Sequence, residues 1–365
     1  TVQKEGYYTK TINADFINGA VLTPIVELVP IPVYSVGGKV LFSEGGNVPF
    51  AKVTLFGPDD VYELTCDENG DFFLPAIYGG TYELQSGIWG HTYETIVVMD
   101  EPKQLTIQLV PGYKDNFDVD LGWTVIIGAT SGIWGRGIPT EQLLFEDRVC
   151  SSAGDSPNDL GGFAYVTGLS TSDNVQDNEV SGGTTWLVSP PMDLTEAIAP
   201  KISFDFWLCE FPPNQYTGLS VWLTNDVDTT LLEELRNDTI TGSWQSKSYP
   251  DLNLTGPINQ VRLMISATDT TSGQGDYILK VHFDKFKLSQ SGLSTNDPYP
   301  AGKYFTVYPN PSNGETIYLK QSEGFEKEVT SIQMYDIQGR LVSRQNIQPG
   351  NKVIAINHQL EGGMY

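Results

Sequence analysis

Short runs in which apolar and polar residues alternate recur along most of the chain, separated by segments rich in Gly, Asn, Asp, Ser and Pro. Alternation with a period of two is typical of a β-strand with one buried face. Residues 51–56 are an example, with Ala51, Val53 and Leu55 on one face. The pattern predicts an all-β chain of tandem β-sandwiches. Only residues 230–236 suggest a helix, in a run too short to be stable alone.

Two blocks of strand-like runs define the main part of the chain. In the first, residues 33–112, an Asn-Gly pair at 69–70 lies between two runs and predicts a β-hairpin, because both residues tolerate positive φ. The second block, residues 113–290, predicts a larger sandwich of two sheets of jelly-roll type. Its strand-like runs are 123–127, 163–167, 185–188, 201–207, 219–223, 261–267 and 278–283.

An internal repeat is visible near the start. Residues 6–12 resemble residues 90–96, and each copy is followed by a Leu-Val-Pro sequence, at 28–30 and at 109–111. The second copy closes a full β domain, whereas the first has nothing in front of it. We therefore expect residues 1–32 to be the final part of a preceding sandwich, and the chain to be a piece of a longer polypeptide. Chance similarity among common strand residues is the alternative.

Charge separates the chain into an acidic body and a neutral C-terminal module. The 45 acidic and 21 basic side chains give a net charge of −24. Residues 113–290 hold 24 acids and 10 bases, a net −14, whereas residues 303–365 hold six of each. Residues 291–302 between them are small, polar and rich in Pro and Gly, which predicts a linker. So acidic a chain is unsuited to nucleic acids or anionic lipids.

Cysteine and histidine are too few for most catalytic or zinc chemistry. The three cysteines, Cys66, Cys150 and Cys209, lie far apart, so that at most one bridge, Cys150–Cys209, is available. Three buried thiols are the simpler interpretation. The three histidines and the Gly-rich segments match no nucleophile, zinc or phosphate-binding motif. An enzyme that uses paired carboxylates stays possible, and the sequence leaves enzymatic activity uncertain.

Three further groups of residues are candidate sites. Acids at the first and last strands of the second block predict a calcium site, because those strands often pair in a jelly roll; the candidate ligands are Asp118, Asp159 and Asp284. Solvated surface acids are the alternative. Aromatic residues could line a carbohydrate-binding platform, although core packing is favoured; they are Trp186, Trp207, Tyr216, Trp222 and Trp244. Thr239, in an Asp-Thr-Ile sequence, fits a short O-glycosylation pattern of Bacteroidota that also occurs by chance.

The first block resembles the carboxypeptidase regulatory-like domain. The motifs that carry the resemblance lie at residues 38–40, 49–55, 65–72 and 80–84, and Cys66 is an extra residue in the third of them. The resemblance implies a transthyretin-like Greek-key sandwich of the kind appended to secreted enzymes and surface proteins. The second block resembles the jelly-roll accessory domains of MAM and cleaved-adhesin type. Its most specific motif is Leu-Val-Ser-Pro-Pro-Met-Asp-Leu at 187–194, supported by residues 116–123, 134–136, 164–168 and 283–286.

Residues 303–365 resemble the type A sorting domain of the type IX secretion system of Bacteroidota, a small C-terminal sandwich. The family pattern corresponds to Tyr308, Pro309, Asn310 and Pro311, then Asp336, Gly339 and Arg340, and finally Gly363 and Tyr365. The family continues beyond the position of Tyr365, so the module is expected to be incomplete. The resemblance implies recognition by the outer-membrane translocon and shuttle barrel of that system, and a location at the cell surface or outside the cell.

These features together predict the non-catalytic C-terminal region of a large exported protein, with accessory or adhesive β-domains. The sequence does not identify a ligand; a surface protein and a glycan are the two candidates. The alternative is the accessory region of a secreted peptidase whose catalytic domain lies upstream of Thr1.

Overall fold

The computed structural model of the chain divides into two compact units, Thr1–Gln290 and Ser291–Tyr365. Regular structure in the described residues is almost entirely β-strand, as the alternation predicts, and none of their helices is long and apolar enough to span a membrane. The structure describes residues 1–13, 25–57, 60–144, 148–158, 160–212, 217–225, 227–236, 242–250, 252, 254–271, 277–290, 305–308, 316–321, 331–335, 341–346 and 353–357.

The first block folds into a sandwich of seven strands. The strands are β1 (Val33–Phe42), β2 (Lys52–Phe56), β3 (Val61–Thr65), β4 (Asp71–Tyr78), β5 (Gly80–Ile88), β6 (His91–Met99) and β7 (Lys103–Pro111). Their order is β3-β2-β5-β6-β7-β1-β4, and β6 meets β7 at only two residue pairs, so that the path folds into two facing sheets. The predicted face of β2 lies in the core between them, where Val53 and Leu55 are fully buried. Burial of each such side chain contributes about 1.5–3 kcal/mol to the stability of the fold.

The Asn-Gly pair lies in a turn, as predicted, but the predicted β-hairpin is wrong. The chain turns at residues 67–70, where Gly70 has φ of +77° and its N–H donates to the Asp67 carbonyl oxygen. The flanking strands do not form a hairpin, because β3 pairs with β2 and β4 pairs with β1. The Asp67 carboxylate accepts the backbone N–H groups of Asn69 and Asp71. These bonds stabilise the connection by which the chain passes from one sheet to the other. Turn residues alone predict a change of direction but not which strands will pair.

Both copies of the predicted repeat have the same backbone pairing. Tyr7 forms an antiparallel bridge with Pro30, as His91 does with Pro111. In the first copy the N–H that follows the proline, that of Ile31, donates to the Gly6 carbonyl oxygen at 2.9 Å. In the second, the N–H of Gly112 donates to Gly90 at 2.8 Å. Sequence similarity and hydrogen bonding therefore coincide in the two copies.

The second block is a sandwich of two antiparallel sheets. Its strands are β8 (Lys114–Asp115), β9 (Thr124–Ile127), β10 (Trp134–Gly137), β11 (Gln142–Leu144), β12 (Arg148–Ser151), β13 (Ala164–Thr167), β14 (Gly183–Val188), β15 (Pro200–Phe211), β16 (Thr217–Thr224), β17 (Thr229–Leu235), β18 (Trp244–Tyr249), β19 (Arg262–Asp269) and β20 (Ile278–Gln290). One sheet has the order β10-β13-β20-β15-β18 with β8 beside β20, and the other has β17-β16-β19-β14-β9. All seven predicted runs are strands. The short strand β8 pairs with the last strand, β20, whereas Asp118 and Asp120, expected on the first strand, lie in the segment between β8 and β9.

The predicted helix at 230–236 is wrong, because these residues form β17. Leu, Glu and Arg favour a helix locally, but the run pairs with β16 along its length. A register shift at Trp222 leaves Leu232 packed against the core, while Leu231 is 40% exposed on the opposite face. Burial against the neighbouring strand therefore overrides the local preference.

The interpretation of three free thiols is wrong for two of the cysteines. Cys150 on β12 and Cys209 on β15 form a disulfide that spans 59 residues of sequence. The folded hairpin of β11 and β12 lies over the outer face of β15 and brings the two sulfur atoms together, which sequence spacing does not reveal. Cys66 is free and buried, and burial raises the pKa of its thiol to about 11. Its reactivity is therefore low.

In the C-terminal unit, five strands are described: β21 (Phe305–Tyr308), β22 (Thr316–Gln321), β23 (Ser331–Tyr335), β24 (Leu341–Asn346) and β25 (Val353–Asn357). They form a three-stranded sheet in the order β21-β22-β25 and a hairpin of β23 with β24. Tyr308 is the last residue of β21 and pairs with Tyr318. Strands β23 and β24 are antiparallel, with Tyr335 opposite Leu341. The predicted turn motif with Asp336, Gly339 and Arg340 lies outside the described residues, as do Pro309, Asn310, Pro311, Gly363 and Tyr365.

Candidate functional site

A row of polar side chains is buried on the last strand of the second sandwich. On β20, the apolar residues Leu279, Val281 and Phe283 point into the core, so the alternating Lys280, His282 and Asp284 point outward. All three are nevertheless fully buried. Each makes hydrogen bonds to the segments that lie over this face of the sheet, between β10 and β14, and buried polar groups require such partners.

Lys280 holds two of these segments together. Its ammonium donates to the carbonyl oxygens of Thr167, Gly168 and Asn178 at 3.0–3.2 Å. Burial lowers the pKa of Lys280 to about 8 because the charged form loses solvation, while the charge of Glu179 opposes the shift. Three donors thus meet three acceptors, which is the arrangement of a structural lysine rather than of a nucleophile.

His282 lies between two serines and two indoles. Its Nε2 is 3.0 Å from Ser151 Oγ and its Nδ1 is 3.2 Å from Ser152 Oγ, while the ring of Trp207 stacks on it. Burial lowers the pKa of His282 to about 3, and nearby Lys280 adds to the shift. A neutral imidazole has one N–H, which one of the two serine hydroxyls accepts. The serine hydroxyls also contact backbone carbonyl oxygens, Ser151 that of Thr140 at 2.8 Å and Ser152 that of Gly154 at 2.7 Å. Full burial makes this Ser–His contact a structural one.

The candidate calcium ligands Asp118 and Asp284 bind the two ends of one loop. Asp284 Oδ2 accepts the N–H of Ser156 at 2.9 Å and its Oδ1 accepts that of Lys285 at 2.7 Å. Asp118 Oδ1 accepts the N–H groups of Gly162 and Phe163 at 2.9 and 3.0 Å. The third candidate, Asp159, lies in this loop but outside the described residues.

The hydrogen bonds of Asp118 and Asp284 compete with the binding of a metal ion. Backbone N–H groups already occupy the carboxylate oxygens that a cation would need. No group of three or more His, Cys, Asp or Glu side chains suited to a metal occurs in the part of the chain that the structure describes. Asp118 and Asp284 therefore do not form a calcium cage by themselves, and calcium binding stays a prediction.

Asp118 also lies in the joint between the two sandwiches. Its Oδ2 accepts the side-chain N–H of Gln85 at 2.7 Å, and its backbone oxygen accepts the hydroxyl of Thr54 at 2.7 Å. Gln85 donates further to the carbonyl oxygen of Leu160 at 2.9 Å. Burial raises the pKa of Asp118 to about 7, with a further contribution from the charge of Asp155, although the N–H donors oppose the shift. The sequence gives no signal for this role.

The rest of the joint combines ion pairs with aromatic packing. Arg136 pairs with Glu63, and Lys114 pairs with Glu94 at 2.6 Å. Trp89 of the first sandwich stacks on Phe286 of the second, with ring centroids 5.8 Å apart. Its indole N–H donates to the Pro191 carbonyl oxygen at 2.8 Å. Such contacts fix the two sandwiches as parts of one compact unit.

The structure separates the aromatic residues that the sequence grouped together. Trp207 is buried on β15 and donates to the Cys150 carbonyl oxygen at 2.7 Å, so it is a core residue, as favoured. Trp244 lies beside it on β18, in the same sheet. Trp186 and Trp222 are partly exposed and adjacent on the other sheet, with ring centroids 6.2 Å apart. Tyr216 and the glycosylation candidate Thr239 lie outside the described residues.

Comparison with known proteins identifies the C-terminal module. Residues 306–365 match the family described as the secretion system C-terminal sorting domain. The protein is therefore exported across the outer membrane to the cell surface or the extracellular space. No curated protein matches the chain.

Solved structures give only distant likenesses. Carbohydrate-binding modules of the β-sandwich superfamily are 13% identical, over 68% of this chain and 88% of theirs, with a TM-score of 0.30. The family 30 carbohydrate-binding module of a Clostridium thermocellum cellulase is 13% identical, over 46% and 98%, with a TM-score of 0.22. The major pilin subunit of Bacillus cereus is 11% identical, over 87% and 68%, with a TM-score of 0.19.

Proposed function

We propose that this chain is the accessory or adhesive, non-catalytic part of an exported protein, and that its C-terminal module is the export signal of the type IX secretion system. The observation that carries the proposal is the sorting-domain match at residues 306–365. The outer-membrane translocon and shuttle barrel of that system are the proposed partners of the module. The module is then either removed or used for anchoring.

The acidic body supports a binding or spacing role. Three of its reactive side chains are engaged within the fold: the Lys280 ammonium by three carbonyl oxygens, the His282 ring by two hydroxyls, and the Cys66 thiol by burial. Ion pairs and the contacts of Trp89 hold the two sandwiches together, as a spacing role requires.

The second candidate is the accessory region of a secreted peptidase. The resemblance of residues 33–112 to the carboxypeptidase regulatory-like domain favours it, because such domains are appended to secreted enzymes. The coding sequence upstream of Thr1 distinguishes the two candidates. A metallopeptidase or subtilisin-type motif there would favour the peptidase.

The export proposal is tested by sufficiency. The complete C-terminal module, from residue 303 onward, is fused behind a periplasmic reporter in a host with type IX secretion. The reporter should reach the cell surface or the medium, and in a host without the translocon it should stay in the periplasm. Equal surface levels with and without the module would contradict the sorting assignment.

A further inference from the structure

The outer face of the five-stranded sheet carries an aromatic surface. In β14, β16 and β19 the apolar residues that fill the core alternate with residues that point away from it. Trp186 on β14 and Trp222 on β16 belong to the outward set, and Ser266 and Met264 on β19 lie between them by register. The indole rings are 6.2 Å apart and inclined at 54°. They therefore form a bent platform across three adjacent strands.

Apolar and hydroxyl side chains extend this platform in both directions. Ile126 on β9 pairs with Trp186 and is 53% exposed, while Leu231 on β17 pairs with Trp222 and is 40% exposed. Ser220 on β16 is partly exposed and pairs with the buried Ser266 in the same row as Trp186. The surface thus spans all five strands and places the Ser220 hydroxyl beside the rings.

The platform lies apart from the contacts that the fold itself uses. The first sandwich docks on the second through Asp118, Arg136, Pro191 and Phe286, none of which lies in the rows of Trp186 and Trp222. Strands β14, β16 and β19 each pair on both sides, so their backbone groups are engaged and a partner strand cannot add to them. A ligand of this surface is therefore held by side chains.

The chemistry of the surface selects the ligand. Indole faces pack against the C–H faces of sugar rings, and flanking hydroxyls donate to and accept from sugar hydroxyls. In the rows of Trp186 and Trp222, Glu234 at the edge is the charged residue among the paired positions. Two arginines lie on the same face beside these rows: Arg262 donates to the Ser189 carbonyl oxygen, and Arg236, next to Gly218, pairs with Glu210 and Glu234. Because these arginines are engaged within the fold and the chain has a net charge of −24, the surface disfavours polyanions.

We propose that the outer face of the five-stranded sheet binds a neutral polysaccharide, with Trp186 and Trp222 as the stacking residues. This inference rests on the proposed accessory or adhesive function and names the ligand class of that function. The face accommodates a chain of sugar residues that crosses the strands from Ile126 towards Leu231, so binding should strengthen with the length of the oligosaccharide.

The test uses the full chain in native affinity gels that contain a neutral β-glucan, xylan, galactan or mannan, with an anionic polysaccharide for comparison. At least one neutral polysaccharide should retard the protein. Trp186→Ala and Trp222→Ala should each weaken that binding by about tenfold or more. Trp244→Ala, at a partly buried tryptophan of the opposite sheet, is the matched control and should bind as the unmodified chain does.

Three results would overturn the inference: no retardation by any neutral polysaccharide, equal binding by the Trp186→Ala variant, or preferential binding of the anionic polymer. Thermal unfolding of each variant establishes that the fold is intact. These outcomes are independent of the export experiment, because a chain that is sorted correctly but ignores neutral polysaccharides disproves only the ligand assignment.

Discussion

Gln85 of the first sandwich donates a 2.7 Å hydrogen bond to the Asp118 carboxylate of the second, and both side chains are buried. The same amide donates to the Leu160 carbonyl oxygen, so that it joins β5 to two segments of the other sandwich. The loop that follows Leu160 is held in turn by the N–H bonds of Gly162 and Phe163 to Asp118. The sandwiches therefore share one buried polar network.

This network predicts a specific cost of removing the amide. Gln85→Ala leaves Asp118 Oδ2 without its donor and the Leu160 carbonyl oxygen with only the Asn116 side-chain amide as donor, and we expect a loss of about 2 kcal/mol in the free energy of unfolding at pH 7. Gln245→Ala, at an exposed position on β18, is the control and should cost about 0.5 kcal/mol or less. Chemical denaturation of the unit Thr1–Gln290 measures both. Equal losses of unfolding free energy in the two variants would show that the Gln85 hydrogen bonds contribute no stability.

Burial of His282 predicts a loss of stability in mild acid. Its pKa in the folded state, about 3, lies below the ordinary value of 6.5, so only the unfolded chain takes up a proton between those values. The contribution of neutral His282 is complete above pH 6.5 and decreases as the pH falls. Between pH 7 and 5 the stability of the native chain relative to His282→Gln should fall by about 2 kcal/mol. A difference that does not change with pH would mean that the ring is accessible to protons.

The Cys150–Cys209 disulfide predicts sensitivity to reductant. A bridge across 59 residues restricts the unfolded chain by about 4 kcal/mol. The double variant Cys150→Ala, Cys209→Ala should therefore melt well below the native chain, and a reductant should lower the melting temperature of the native chain only. Cys66→Ala is the matched control and should keep the response to reductant. If the double variant still responds, another thiol chemistry is involved.

Calcium binding predicts a rise in melting temperature with calcium relative to chelator. The motivation is the net charge of −14 in residues 113–290 and the bonds of Asp284 and Asp118 to Ser156 and Gly162, between which Asp159 falls in sequence. A cation that binds only the folded state stabilises it. Asp159→Ala should abolish the rise, whereas Asp173→Ala, at an exposed acid elsewhere, should keep it. Identical midpoints with calcium and chelator would disprove the prediction.

Strand patterning predicts most of the fold because one face of each strand is buried. All seven runs predicted in residues 113–290 are strands, and Ala51, Val53 and Leu55 are core residues. The errors arise where contacts between distant segments determine the secondary structure or the strand pairing. Residues 230–236 have helical preference but pair with β16, and the turn before Gly70 connects two sheets rather than two paired strands.

The candidate site could be predicted only in part. Sequence identifies the sorting motifs and the tryptophans, because residue type carries that information. It cannot assign Trp186 and Trp222 to one exposed face and Trp207 to the core, since that depends on which strands become neighbours. Nor does it reveal that Asp118 bonds to Gln85, which lies 33 residues earlier in another sandwich.

Export through the C-terminal module is tested by removing the module. The chain with its complete module, from residue 303 onward, and the chain shortened to residue 302 are each expressed behind a periplasmic signal in a host with type IX secretion, and antibody binding to intact cells and to the medium is measured. We predict surface or extracellular protein for the chain with the module and only periplasmic protein for the shortened one. Equal amounts of exported protein from the two would contradict this prediction.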